Sequence, residues 1–355
     1  MQQDNNFSKT KNFSIQFLKT VVPLLFGLFV LWLIFRKLDF EDIISTLKKD
    51  VNYWIIALSL PFGLLGNIIR AYRWELLIHP LGYYPKRSNL IYSFLGNYAV
   101  NLAIPRIGEV WRCTMISRYD KIPLTVLIGT MITDRLFDFV PIGLIVIAAF
   151  ILNVPYFNKF FAQNSEMFDY IYELSTSVWL YVGIIIFAII IGFCFIYFKE
   201  KTFIKKIKNT LFSIWEGIKS ISQMKKKWMF ILHTFLIWFS YFLYFYICFY
   251  AFPFTKDLGL NCGLIAFGIS ALSVTIPIQA GIGPWHFAII AVFVGFGLSK
   301  TDAAAFALIV HTIQAIIFTA AFGLFGIMAL PITNRTPQPP EGGVKSPLGD
   351  LGVGL

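Results

Sequence analysis

Asp134, Arg135 and Asp138 fall in the first turns of a helix that is otherwise apolar. The i, i+4 spacing puts both carboxylates on one face, and Arg135 reaches Asp138 at i+3. Ionisable side chains at membrane depth are costly and face a bundle interior or an aqueous cavity. Two readings stay open: an ion pair locking this helix to its neighbours, or a gate whose forked guanidinium holds and releases a phosphate-bearing head group. Arg106, Glu109 and Arg112 follow Pro105. Two arginines around a short non-helical stretch at a helix start suit a phosphate, because free backbone N–H groups add to the positive field. As boundary residues they would instead touch anionic lipid, with Glu109 as their neutralising partner. Arg70 and Arg73, beside Trp74 and Glu75, close another apolar run as substrate contacts or as interfacial anchors. Gln279 and His286 complete the candidate substrate contacts. His311 and Gln314 form an i, i+3 polar pair in an apolar helix, with a structural hydrogen bond and a proton relay as the alternatives.

These groups cluster around two interruptions of hydrophobic sequence, Asn101 to Glu109 and Thr275 to His286, which carry Pro, Gly and polar side chains. Inside a bilayer a broken helix leaves backbone groups unpaired, so breaks persist only where protein or a water-filled cavity surrounds them. Paired breaks at matching positions of two halves point to a translocation site.

The 355 residues are 57% hydrophobic and 14% charged, with a mean hydropathy of +0.70. That excludes an ordinary soluble domain and fits a polytopic membrane protein. The formal net charge of +11 comes from Lys and Arg in loops, where the positive-inside rule accounts for them, so no nucleic-acid partner is expected. Cys113, Cys194, Cys248 and Cys262 show no CxxC spacing, which supports neither a zinc site nor a disulfide framework. HExxH, Walker, GxSxG and HRD-type motifs are absent from the sequence; no cofactor and no metal is expected, and the chain reads as a transporter rather than an enzyme.

Apolar stretches long enough to span lie near 20–36, 53–79, 124–151, 178–198, 228–252 and 303–330, with shorter ones near 88–105, 263–279 and 284–298. Nine lysines between Lys199 and Lys227 fix that segment in the cytoplasm. Both termini are then cytoplasmic if the shorter stretches dip in and return, giving six spans and two re-entrant elements. The expected fold is an all-α polytopic membrane protein of two inverted-topology helical units, about 53–151 and 228–330, with re-entrant broken helices. Residues 1–19 form a cytoplasmic N-terminal segment, 20–330 the transmembrane domain, and 331–355 a tail too poor in apolar residues to order itself.

The chain resembles the lysylphosphatidylglycerol synthase transmembrane family, also described as flippase-like membrane proteins. The matching pieces are Arg70–Ala–Tyr–Arg–Trp74, Pro105–Arg–Ile–Gly–Glu109 with Arg112, Asp134–Arg–Leu–Phe–Asp138, and Gly281–Ile–Gly283 after Pro277, over roughly residues 15 to 330. The chain departs from the family at His286 and His311, where Glu and Arg are common. Larger members join this unit to a soluble domain that transfers lysine from its tRNA onto phosphatidylglycerol. No such domain is expected here, so the resemblance implies lipid translocation rather than synthesis.

The expected function is movement of an anionic or modified phospholipid, or a lipid-linked head group, between leaflets of the inner (cytoplasmic) membrane. The partner is that lipid, with a homo-oligomer or a lipid-modifying enzyme as further partners. The alternatives are a membrane-embedded transferase with Glu109 or Asp138 as base, and a non-catalytic subunit of an envelope-lipid enzyme.

Overall fold

The computed structural model describes residues 51–154, 156–158, 225–273, 275–276 and 278–334, most of 21–45, and a few single positions between 173 and 186. The expectations for the segment 1–19, most of the loop 153–177, the span 178–198, the basic stretch up to residue 224 and the tail beyond residue 334 lie outside these residues, as does Pro277.

All regular structure among the described residues is helical. Four helical stretches are long and apolar enough to cross a membrane: Tyr53–Leu81, Leu124–Leu152, Lys227–Ala251 and Lys300–Thr333. They coincide with four of the six expected spans. We name the helices α1 (Leu24–Phe35), α2 (Tyr53–Ile78), α3 (Arg87–Ala103), α4 (Ile107–Asp120), α5 (Leu124–Leu152), α6 (Lys227–Tyr246), α7 (Gly259–Ser273), α8 (Pro284–Gly295), α9 (Lys300–His311) and α10 (Thr319–Thr333). The 29 residues of α5 rise about 43 Å, more than the ~30 Å of a hydrocarbon core. The 17 residues of α3 rise only about 25 Å, and α4, α7 and α8 are shorter still. Helices α9 and α10 are joined without a break by a π turn, Thr312–Phe318.

Local chemistry sets the boundaries. Asn52 caps α2 by accepting from the Trp54 amide at 3.1 Å, which satisfies one of the unpaired donors of the first turn. Pro105 ends α3, because a residue before proline is pushed out of the α region; Ile104 is accordingly extended, at φ −137° and ψ 113°. Arg106 then turns the chain with a left-handed φ of 64°, and α4 begins at Ile107. The resulting hairpin closes tightly: the Gly108 amide donates to Asn101 Oδ1 at 2.8 Å, and any Cβ on Gly108 would run into the Asn97 carbonyl. In the second interruption the chain leaves α7 at Ser273, passes through Ala280 (φ 51°), Gly281 (φ 72°) and Gly283 (φ 93°), and enters α8 at Pro284, whose missing N–H costs nothing at a first helical position.

Helix α2 packs on α6, α3 on both α4 and α10, and α7 on both α8 and α5. Each short hairpin thus leans on the last long helix of the other half. Small residues permit these approaches, as they do in helix pairs within membranes: a Cβ on Gly66 would lie 2.6 Å from the Tyr241 ring, and one on Gly63 2.9 Å from Tyr244. Two apolar cores result. One is rich in phenylalanine, including Phe245, Phe249, Phe293 and Phe306; the other surrounds Trp74, Phe94, Ile116 and Leu127. The last helix continues to Thr333, slightly past the expected end of the domain. Asn334 holds it there, donating to Asn89 Oδ1 at 2.7 Å and to the Leu330 carbonyl at 2.8 Å.

Candidate functional site

Three groups that are separate in sequence meet in one buried network between α2, α4 and α5. Arg73 is fully buried and supplies the centre. Its Nε donates to Asp134 Oδ1 at 2.9 Å and its Nη2 to Asp138 Oδ1 at 2.7 Å and to the Asp134 carbonyl at 3.2 Å; its Nη1 donates to Thr234 Oγ1 on α6 at 3.3 Å. Arg70, one turn earlier, donates to Asp138 Oδ2 and to the Tyr98 hydroxyl at 3.3 Å. The chain of polar contacts continues from Tyr98 to Tyr241, whose hydroxyl donates to Asn67 Oδ1 at 2.7 Å.

Arg112 lies differently from the boundary position expected of it. Its side chain is fully buried, and its guanidinium carbon sits 4.1 Å from the Phe94 ring centroid and 4.5 Å from that of Trp74. Its Nε is 3.2 Å from Glu109 Oε2 and its Nη2 3.7 Å from Asp134 Oδ2, ion-pair distances without hydrogen-bond geometry. The reason is helical phase: position 112 is three residues beyond Glu109 and faces α2 and α3, not the open side of α4. Cation–π contacts of a desolvated guanidinium are worth about 2 kcal/mol or more, so Arg112 is bound into the packing.

Arg135 reaches Asp138 at 3.6 Å, as the spacing suggested, but its closer partner is Glu109 Oε1 at 2.5 Å. Asp138 is shared with Arg70 and Arg73 from α2. Arg135 and Glu109 are the least buried members, with side chains 31% and 17% exposed. Four guanidiniums (Arg70, Arg73, Arg112, Arg135) therefore face three carboxylates (Glu109, Asp134, Asp138), an excess of one positive charge. Arg106 stands outside this network. It is exposed, and its Nη2 donates to the Thr275 carbonyl at 2.8 Å, tying the first interruption to the second. Glu75 also stands apart, paired with Arg87 at 3.1 Å and with His79 at 3.3 Å.

The second interruption is neutral. His286 and His311 are buried with ring centroids 4.4 Å apart, and Trp285 lies 5.1 Å from His311. His311 Nε2 is 2.9 Å from the Ala280 carbonyl, so it holds the residue of left-handed φ at the centre of the break. Gln279, beside it, is buried. His311 and Gln314 engage different partners: Gln314 Nε2 donates to Ser59 Oγ at 2.9 Å, to the Tyr244 carbonyl at 2.6 Å and to Cys248 Sγ at 3.1 Å. The Gln314 carbonyl, inside the π turn, accepts from the Tyr244 hydroxyl at 3.0 Å and from Thr319 Oγ1 at 3.1 Å. A π turn frees backbone groups in just this way and is frequent at functional sites.

Sequence reasoning missed Asn67, Tyr98, Tyr241, Tyr244 and Ser59. Asn67 carried a signal, because it lies three residues before Arg70 and on the same helical face. The tyrosines carried none, since interfacial belts account for such residues equally well. Among the described residues no group of three or more His, Cys, Asp or Glu side chains is placed to hold a metal ion.

Comparison with known proteins agrees with this architecture. A UPF0104 membrane protein of Methanocaldococcus jannaschii is 25% identical over 128 residues, which is 35% of this chain and 38% of that protein. The chain thus matches little more than a third of that relative's length. No solved structure matches. The match that covers most of the chain, residues 20–323, is to the family described as the lysylphosphatidylglycerol synthase TM region, and this all-helical membrane protein belongs to that family.

Proposed function

We propose that the chain is an integral membrane lipid translocase that moves an anionic or modified phospholipid, or a lipid-linked head group, between leaflets. The observation that carries this reading is the buried network of four arginines and three carboxylates beside a helix break, with its excess positive charge and its two least buried members, Arg135 and Glu109, at one edge. Charges at such depth are expensive and mark ion or substrate pathways. In this reading the phosphate of the head group is received by Arg135 and Arg106. Glu109 occupies Arg135 in the resting state and is displaced by the phosphate, which offers the guanidinium a comparable pair of oxygens. Arg70, Arg73, Arg112, Asp134 and Asp138 hold α2, α4 and α5 in register around that edge.

The two halves act as inverted units with re-entrant hairpins, on the support of the exchanged packing of α3 on α10 and α7 on α5. Both termini face the cytoplasm of the inner membrane, on the support of the Lys and Arg distribution. Movement is downhill or coupled to an ion. Gln279, His286, His311 and Gln314 belong to the second break, where a neutral lining lets the head group leave.

The test is a purified-protein liposome assay with a panel of labelled lipids, scored for leaflet exchange and for covalent change in the same tube. Exchange of unchanged lipid is the expected result. A new covalent product would establish a transferase instead, and neither outcome would leave a non-catalytic partner subunit.

A further inference from the structure

Away from the charged network, an apolar cavity of about 400 Å³ lies between α7 and α8, lined by Ile269, Leu272 and Ser273 on one side, by Phe287, Ala288 and Ala291 on the other, and closed by Tyr156 and Phe157. Its wall on α8 runs from Pro284 to Val292, about 12 Å along the helix axis. Ile276 and Pro284 belong to its lining, so its lower end is the second break itself. That end is also where the one exposed arginine of the first break arrives: Arg106 Nη2 donates to the carbonyl of Thr275, the residue next to Ile276. A guanidinium carries five donors, and the Thr275 carbonyl takes one of the Arg106 set, one residue along the chain from the cavity wall at Ile276.

A narrow apolar wall that ends at a cation is complementary to one kind of molecule available in a bilayer, an anionic lipid with its acyl chain along the wall and its phosphate at the arginine. We propose that this trough is the seat of one acyl chain of an anionic phospholipid whose head group lies at Arg106. Cavity volumes of 300–1,000 Å³ with a predominantly apolar lining and few polar groups are the usual dimensions of small-ligand sites. Phe287, which is 62% exposed, leaves the trough open sideways, so a lipid enters it from the membrane without unfolding either helix. The seat rests on the lipid-translocation reading and adds to it which part of the lipid the second break recognises. Head-group chemistry is assigned to the arginines at the first break, and chain anchoring to α7 and α8.

The experiment places the full-length protein in phosphatidylcholine nanodiscs containing a trace of phosphatidylglycerol with a photoactivatable group on one acyl chain, followed by peptide mapping. The expected result is labelling of the α7 and α8 peptides. In Ala291→Trp, which fills the trough from its exposed side, that labelling falls at least fivefold, and Ala291→Leu falls between the two. Arg106→Gln keeps chain labelling but removes the preference for phosphatidylglycerol over an equally labelled phosphatidylcholine. Labelling spread evenly over the lipid-facing helices, labelling unchanged in Ala291→Trp, or cross-links showing that residues 159–224 of this chain fill the trough would each overturn the proposal. Leaflet exchange measured on the same samples separates the two claims. Exchange that persists at the wild-type rate without α7 and α8 labelling sinks the acyl seat alone, whereas labelling without exchange in the wild type sinks the translocation reading alone.

Discussion

The two helix breaks share a backbone device and differ in chemistry. At the first, Pro105 and the left-handed Arg106 turn the chain beside seven ionised groups. At the second, Ala280, Gly281 and Gly283 turn it beside two imidazoles, an amide and a tyrosine hydroxyl. Both sets are largely buried and make most of their contacts among themselves, with Arg112 held by ion-pair distances and ring contacts rather than hydrogen bonds, yet only the first carries net charge. The second break has no ionised group of its own: its internal hydrogen bonds are neutral, and the one charge that reaches it, Arg106 on the Thr275 carbonyl, comes from the first break. The charge at the first break therefore asks for a separate explanation, and an anionic ligand supplies one.

Mutations at the two breaks sharpen this contrast. The largest effect is expected for Asp134→Ala, which strips Arg73 of its main counter-charge and Arg112 of its neighbour. Breaking a buried ion pair from one side costs about 3–5 kcal/mol, so the variant should melt far below the wild type in detergent or fail to accumulate. A melting temperature within a degree of the wild type would show that the network is hydrated rather than buried. Arg112→Ala follows, at about 2 kcal/mol or more from the loss of its two ring contacts. The same thermal melt reads it, and Arg112→Lys should not restore stability, because an ammonium cannot stack as a planar guanidinium does.

At the neutral break, Gln314→Leu leaves the hydroxyl of Ser59 and the Tyr244 carbonyl without their amide partner, at roughly 1–3 kcal/mol. If the second break is held as described, this variant lowers stability without altering the preference among head groups. A change in lipid selectivity would move part of the recognition to the second half. The smallest effect on stability is expected for Arg106→Gln, an exposed position where substitutions stay within about 0.5 kcal/mol. Its leaflet exchange of anionic lipid should nonetheless fall, and an unchanged rate would return Arg106 to an ordinary boundary role.

Much of this was legible in the residues. Hydropathy located the four long helices, and Pro105 foretold the end of α3 through its effect on Ile104. The ionisable residues at helical spacing marked α2, α4 and α5 as bearing the site. What spacing leaves open is which partner wins. The i, i+3 relation of Arg135 and Asp138 is real, at 3.6 Å, but Glu109 from another helix comes closer to Arg135, while α2 delivers two arginines to Asp138. Burial was equally hidden. Arg106 and Arg112 look alike in sequence, yet Arg106 sits exposed at the left-handed turn before α4 while helical phase locks Arg112 between Trp74 and Phe94. The Tyr98–Tyr241 link joins residues 143 positions apart, and only the packing of both α3 and α6 on α2 brings it about.

Leaflet exchange by the double variant Arg106→Gln, Arg135→Gln tests the central claim most directly. In proteoliposomes with matched amounts of folded protein, the account predicts wild-type exchange of labelled anionic phospholipid and at least a tenfold lower rate in the double variant, with melting temperatures close together. Equal exchange by the two proteins, or none by the wild type across the lipid panel, would contradict it.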